Sequence, residues 1–380
     1  MQRALPGLVC LLIVGCGGRR APGGPAPAPP TPAGGTAPYE VHEWGLLRAG
    51  AGDVLDVGAV APPGLDIEPM AVDKPVLYFH ARGPLRLEHV RVEAVGGAIR
   101  EHWPLTAGAS FPMSIDWSGF TLDDTQGAGG ARCSGAFPSA SAPPCSHLMP
   151  GEECESARLG MLISTSASCL ESGGARLPFL FYRSRTSTFT PPVHVRTLPS
   201  GEIQVTNTGD APIPGWVVRM RRGDGRARTI AVQAPAAHAT VTIGSEFASA
   251  AVPVAYTPPS HDEAVDHPML PGSEEPGRAA VRITLDQIGL DGGEADAFLR
   301  AWDGALFGDG GVVLIDLPPR TAASDRRGAI DVLTDESQRA TTDSILYFLP
   351  PSACDAVTRL SFTPTPTRVL RALAIWQLAR

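Results

Sequence analysis

The chain lacks the short motifs that announce most enzymes. It has no Gly-x-Ser-x-Gly, and Ser114, Ser118 and Ser164 sit in no recognisable nucleophile elbow, so a serine hydrolase of that type is not written here. No Gly-x-Gly-x-x-Gly opens a helix after a strand and no phosphate loop occurs, which removes the common dinucleotide and nucleoside-triphosphate sites. There is no His-Glu-x-x-His and no Cys-x-x-Cys pair, which removes two familiar zinc signatures. Charge is scarce as well: 18% of residues are Asp, Glu, Lys or Arg, and the net charge is −8. The densest basic stretch, residues 219–228, reads as a charged hairpin, so nucleic acid is not an expected partner. Beyond the first residues no run approaches the roughly 18 apolar residues of a membrane-spanning helix.

What is abundant is proline (38) and glycine (42) in 380 residues with 43% hydrophobic content, a balance that favours short strands and turns over long helices. The first residues carry a single charge, Arg3, and then an apolar segment over 8–14. That is the layout of a secretory signal, too short to span a bilayer permanently. The segment ends Leu11-Leu12-Ile13-Val14-Gly15-Cys16, which resembles the lipobox of bacterial lipoproteins. The resemblance implies cleavage before Cys16, lipidation of Cys16, and attachment to a membrane through N-terminal acyl chains, two or more of which anchor stably. Gly17 is not the aspartate that in some bacteria retains lipoproteins at the inner membrane, so an outer-membrane, extracytoplasmic location is the expectation. Residues 16–38 then form a Pro/Ala/Gly-rich tether, which favours extended polyproline II at about 3.1 Å per residue.

An exported chain meets an oxidising compartment, so the group Cys133, Cys145, Cys154 and Cys169 reads as two disulfides. Three connectivities are open, with Cys133–Cys145 and Cys154–Cys169 preferred; zinc is the alternative, though the spacings are wide. Cys354 is left single, as a buried and inert thiol.

From residue 39 onward the pattern is that of strands. Tyr39 to Gly45 and Pro75 to His80 are strand-length runs, and Leu85 to Glu93 alternates strictly apolar and polar. Gly96-Gly97 marks a turn. Residues 118–174 form a Gly/Ser/Pro-rich excursion carrying the cysteines, whose thin core the disulfides would compensate. Short strands recur near 178–183, 193–196, 201–210, 215–220, 228–232 and 240–243. Ile203-x-Val205-x-Asn207-x-Gly209 resembles strands of immunoglobulin-like modules in bacterial surface proteins. One helix is expected over 292–307: Asp291 caps it with Glu294 three residues on, and Ala295, Phe298, Leu299, Trp302 and Leu306 share a face. Val369 to Trp376 is read as a last strand. The expected fold is therefore mainly β, with antiparallel β-sandwich-like domains and one amphipathic helix. Its divisions are a signal at 1–15, the tether at 16–38, a β domain at 39–200, an immunoglobulin-like part at 201–257, and an acidic loop, helix and strands at 258–380.

Several blocks in order are similar to an uncharacterised family of secreted and lipid-anchored bacterial proteins. They are Val41-His42-Glu43-Trp44-Gly45, Lys74-Pro75-Val76-Leu77-Tyr78-Phe79, Glu101-His102-Trp103-Pro104 and Phe179-Leu180-Phe181-Tyr182-Arg183, followed by Phe189-Thr190-Pro191-Pro192, Ile345 to Pro350 and Pro364 to Val369. The sequence departs from that pattern after Gly45, with Leu46-Leu47 where Thr-Phe is expected. The resemblance implies compartment and architecture but no chemistry.

Three constellations carry candidate chemistry. His42 and Trp44 share one face of a strand and Glu43 the other, so the adjacent His and Glu cannot converge on one ion, and both read as satisfied polar groups on a packed strand. His261, Asp262, Glu263, Asp266 and His267 form the densest group of potential metal ligands, in a Pro/Gly-bounded polar loop. Trp103 and Trp117 lie where exposed aromatic rings could stack on sugars. The leading expectation is a lipid-anchored binding or structural module of the cell envelope, with no cofactor and with envelope proteins or polysaccharide as partners. A metal-dependent extracytoplasmic hydrolase using the 261–267 group is the alternative, and a carbohydrate-binding protein a further one.

Overall fold

The computed structural model describes residues 37–49, 70–106, 112–123, 133, 162–164, 166–186, 189–223, 226–245, 276–307 and 342–379. Cys16, residues 16–36 of the tether, Cys145, Cys154 and the 261–267 group lie outside them, and the tether ends two residues earlier than expected because Ala37 and Pro38 already belong to the first strand. Two strands from opposite ends of the described chain meet at its centre. β1 (Ala37–Ala49) runs parallel to β16 (Pro366–Leu378), with Val41 beside Val369 and Leu47 beside Ile375. The other neighbours of this eight-stranded sheet pair antiparallel: β2 (Met70–Ala81), β4 (Gly97–Trp103), β8 (Leu180–Thr186), β11 (Trp216–Gly223), β12 (Arg226–Gln233) and β14 (Thr342–Phe348). Their order is β12-β11-β14-β16-β1-β2-β8-β4. The divisions expected near residues 200 and 257 cut across this sheet and do not bound separate domains, because non-local strand pairing, invisible in local composition, joins all three segments.

Both faces are covered over the middle of the sheet, which is why 41–47, 75–79, 180–184 and 370–376 are continuously buried. Against one face lie two smaller sheets. One has β15 (Thr358–Thr363), β3 (Leu85–Ala94), β5 (Ser114–Leu122), β6 (Leu170–Ser172) and β7 (Ala175–Leu177) in that order; the other has β13 (Thr240–Ile243), β10 (Ile203–Asn207) and β9 (Val193–Thr197). This is the β-rich, sandwich-like arrangement expected. Tyr39 and Phe79 pack toward Phe362 of the first small sheet, and Leu47, Leu373 and Ile375 share a core with Ile203 and Val205 of the second. Asn207 is buried because its side chain staples the following turn: Oδ1 accepts the Gly209 N–H, and Nδ2 donates to the carbonyls of Ala211 and Ala236.

On the other face sit two helices, α1 (Pro276–Ile288) and α2 (Gly292–Leu306). Only α2 was expected. The α1 pattern is masked by a Pro-Gly start, but Pro276 suits a first helical position, and Ala280, Val281 and Leu285 form the buried stripe. Gly277 fits against Thr229 and Val218, where an added Cβ would come within 2.8 Å of both. In α2 the predicted stripe is buried except for Leu299, which is partly buried at its margin, with Phe298 edge-on to Trp44 and beside Phe348. The short α3 (Pro351–Cys354) buries Cys354, the one free cysteine among the described residues; burial pushes its thiol up to about 12, the inert state expected of it. The turn read at Gly96-Gly97 is also there. Gly96 has a positive φ, and a Cβ on Gly97 would stand 1.7 Å from the Arg185 carbonyl oxygen, so no other residue fits.

Between the two small sheets, β1 buries an ion pair. Glu43 accepts hydrogen bonds from Arg371 Nε and, at 2.6 Å, from Tyr182 Oη, while Arg371 also donates to the Thr358 carbonyl, Thr358 Oγ1 and Asp355. Such a pair is worth little against an apolar replacement but is costly to break on one side. Arg371→Met should therefore destabilise the protein by about 3–5 kcal/mol in urea unfolding, and Glu43→Leu combined with Arg371→Met should recover most of that loss. Equal losses in the single and double variants would show that the pair is not what the site depends on.

Candidate metal centre

Strand alternation puts Glu40, His42 and Trp44 of β1 on the helix-covered face, together with Val76, Tyr78 and His80 of β2. In the antiparallel register His42 stands opposite Tyr78 and His80 opposite Glu40. The two histidines are thus diagonal neighbours, within reach of each other on one face. Their rings approach to 4.1 Å between centroids.

Helix α2 delivers the third group. Asp291 caps its N-terminus: Oδ1 accepts the Glu294 N–H at 2.8 Å, and Glu294 Oε2 accepts the Asp291 N–H at 3.1 Å, the reciprocal pattern of a capping box. The box fixes the Glu294 carboxylate against the helix start, where the dipole favours negative charge. There it bridges the two imidazoles, Oε2 to His42 Nδ1 at 2.8 Å and Oε1 to His80 Nε2 at 2.7 Å. One ligand atom from each of His42, His80 and Glu294 lies within 4.8 Å of the other two.

The electrostatics follow from burial and from that bridge. Burial alone would raise the Glu294 carboxyl, but the hydrogen bonds from His42 and His80, and their charge, outweigh it and hold it at about 2. Burial works against the charged form of His80, and the Glu294 bond and charge overcome it, so its pKa lies above the ordinary value. Asp291 is raised, by burial first and by the neighbouring Glu294 charge second. Tyr78 is raised in the same way by burial, Glu294 and Asp291.

A strap of chain borders the centre. Tyr78 Oη donates to the Leu162 carbonyl, Ser164 and Ser166 hydroxyls donate to Asp291 Oδ2, and Ser168 brackets His80 by donating its N–H to the Phe79 carbonyl and accepting the Ala81 N–H. Cys169 follows, and it pairs with Cys133. That connectivity corrects the preferred Cys133–Cys145 and Cys154–Cys169 pairing. Cys169 is held beside β2 and β5, with its N–H on Asp123 Oδ1, so its partner is set by long-range contacts and not by proximity in sequence.

The remaining candidates fall elsewhere. Glu43 does oppose His42, as alternation requires, but His42 is part of a convergent cluster and not a satisfied group on a packed strand; what brings its partners together is register and helix docking. His80 was legible only as the end of a strand, and Glu294 only as a capping residue. Trp103 and Trp117 are not an exposed platform: both are buried, Trp103 against Phe179 and Trp117 with its Nε1 donating to the Pro104 carbonyl at 2.7 Å. Comparison with known protein families, with curated proteins and with solved structures finds no match.

The low value of Glu294 carries a sign. A carboxyl held below its ordinary 4.5 adds stability that is complete above that value and is lost as pH falls through about 2. His80 works in the opposite direction: its contribution is complete below 6.5 and fades as pH rises through its higher folded value. In metal-free protein the stability margin of wild type over Glu294→Gln should therefore shrink by about 3 kcal/mol between pH 4.5 and 2. Urea titrations at stepped pH measure it, and a margin flat across that window would contradict the bridging arrangement.

Proposed function

We propose that the protein is a lipid-anchored component of the bacterial cell envelope whose folded part binds one divalent transition-metal ion, zinc by its donor set, at His42, His80 and Glu294. The observation that carries the metal reading is the convergence of two imidazoles and one carboxylate from three separate elements, held by a capping box and an antiparallel register. Two imidazoles and a carboxylate suit zinc, which also needs no redox partner in an oxidising compartment. Zinc with bonds of about 2.0–2.1 Å needs donors about 3.3 Å apart when tetrahedral. The present 2.7 and 2.8 Å separations are those of N–H···O bonds, so an ion would replace two ring protons and part the three groups by roughly half an ångström.

Envelope attachment is supported by the apolar run ending at Gly15-Cys16, by the Pro-rich segment after it, and by the disulfide between Cys133 and Cys169, which belongs in an oxidising compartment. The ordered blocks from Val41 to Val369 point to the same class of secreted and anchored proteins. A second reading, a metal-dependent hydrolase, is favoured by one observation: among the described residues three protein donors converge, a set that leaves a coordination position open, as catalytic zinc sites do and closed structural ones do not.

Two measurements test this. Full-length protein isolated from membranes should carry about one zinc per chain by elemental analysis, and His42→Ala, His80→Ala or Glu294→Gln should weaken binding by more than the roughly 10–100-fold typical of an outer-shell partner. Wild type that takes up no zinc, nickel or cobalt would end the metal reading. Growth with a clickable fatty acid should label wild type and leave Cys16→Ala unlabelled; label on the variant, or none on wild type, would end the anchor. Zinc-dependent turnover of activated esters or peptides that disappears in Glu294→Gln separates the hydrolase from a binding role.

A further inference from the structure

Resting on the metal centre just proposed, we infer that Glu40 is the positioning residue that fixes His42 as an Nδ1 ligand and so sets the affinity of the site. The two nitrogens of an imidazole point in opposite directions. His42 turns Nδ1 to Glu294, so Nε2 faces away from the ion and cannot share in holding it. A neutral ring that gives its Nδ1 lone pair to a metal carries its remaining proton on Nε2. That nitrogen is buried and makes no hydrogen bond among the described residues. A buried N–H without an acceptor opposes the very tautomer that ligation requires.

Glu40 is the group placed to relieve this. Its Oε2 lies 3.7 Å from His42 Nε2, two residues back on the same face of β1, with His80 directly across the register. The distance is too long for a hydrogen bond. It is what is expected while the ring proton sits on Nδ1 toward Glu294, because an Nε2 lone pair then faces a carboxylate. When a metal replaces the Nδ1 proton, the ring proton is held at Nε2, and a movement of less than about 1 Å makes Nε2–H···Oε2 a charge-assisted bond. Glu40 is half-buried and only loosely held from outside, by Arg368 Nη1 at 3.9 Å, so that movement is open to it. The result is a carboxylate–histidine–metal relay of the kind that orients ligands and raises their basicity.

The test uses purified full-length protein and zinc alone, with affinity read by competition against a chromophoric chelator. Glu40→Ala should weaken zinc binding about 10–100-fold while leaving the thermal midpoint of metal-free protein unchanged. Glu40→Gln keeps an acceptor oxygen and should restore most of the affinity. Nitrogen-15 imidazole spectra of the zinc-loaded wild type should show His42 protonated at Nε2. Three results would overturn the proposal: wild-type affinity in Glu40→Ala, equal losses in the Ala and Gln variants (which would mean charge alone acts), or a His42 proton at Nδ1 in the loaded protein. Failure of wild type itself to bind zinc would sink the metal centre and this inference with it. Normal wild-type binding with an indifferent Glu40→Ala would sink the inference alone.

Discussion

The structure depends on one strand being buried on both faces. β1 lies between β16 and β2 at the middle of the large sheet, with helices on one side and two small sheets on the other. Alternation along it therefore has no solvent face to give to polar residues. His42 and Glu43, adjacent in sequence, are each forced into a buried setting, and each is answered by a separate set of partners: Glu294 and His80 on one side, Arg371 and Tyr182 on the other. Had one side been open to water, the residue facing it would have been an ordinary surface group and its partners unnecessary.

Glu294 shows how a local rule and a tertiary site can use the same atoms. A capping-box glutamate at the third helical position normally turns its carboxylate back to the chain and leaves lone pairs to solvent. Here helix docking brings those lone pairs against β1 and β2, where two imidazoles take them. The strength of the helix start and the geometry of the site are thereby one constraint. Asp291 holds the carboxylate in place, and the serines at 164 and 166 hold Asp291.

Features governed by local chemistry were readable from the sequence. The α2 boundaries, the Asp291–Glu294 cap, the Gly96-Gly97 turn, most strands and the buried lone Cys354 all follow from periodicity, turn residues or composition. Features governed by pairing between distant segments were not. The disulfide joins residues separated by 36 positions, and the central sheet crosses the boundaries that composition suggests near 200 and 257. The site belongs to this second class. His42 and His80 are 38 positions apart in the numbering and meet only because of a register; Glu294 joins them only because α2 docks on that face. Alternation correctly separated His42 from Glu43, yet it could not name what His42 would face. Trp103 and Trp117 failed for the complementary reason: a tryptophan on a strand is exposed or buried according to what packs over it, and that is not a local property.

The parallel pairing of β1 with β16 also has a consequence in time. Made from its N-terminal end, the chain presents β1 and β2 long before β14 and β16 exist, so the antiparallel hairpin-like pair must wait with one edge and both apolar faces uncovered. A topology with so many distant contacts folds slowly, and its strand edges are open to mispairing meanwhile. His42 and His80 come together early, but their carboxylate arrives only with α2, and the far side of β1 is closed only by the last strand. The cluster of His42, His80 and Glu294 is thus a late product of folding: it needs α2 docked on a β1–β2 pair whose outer edge stays open until β16 has been made.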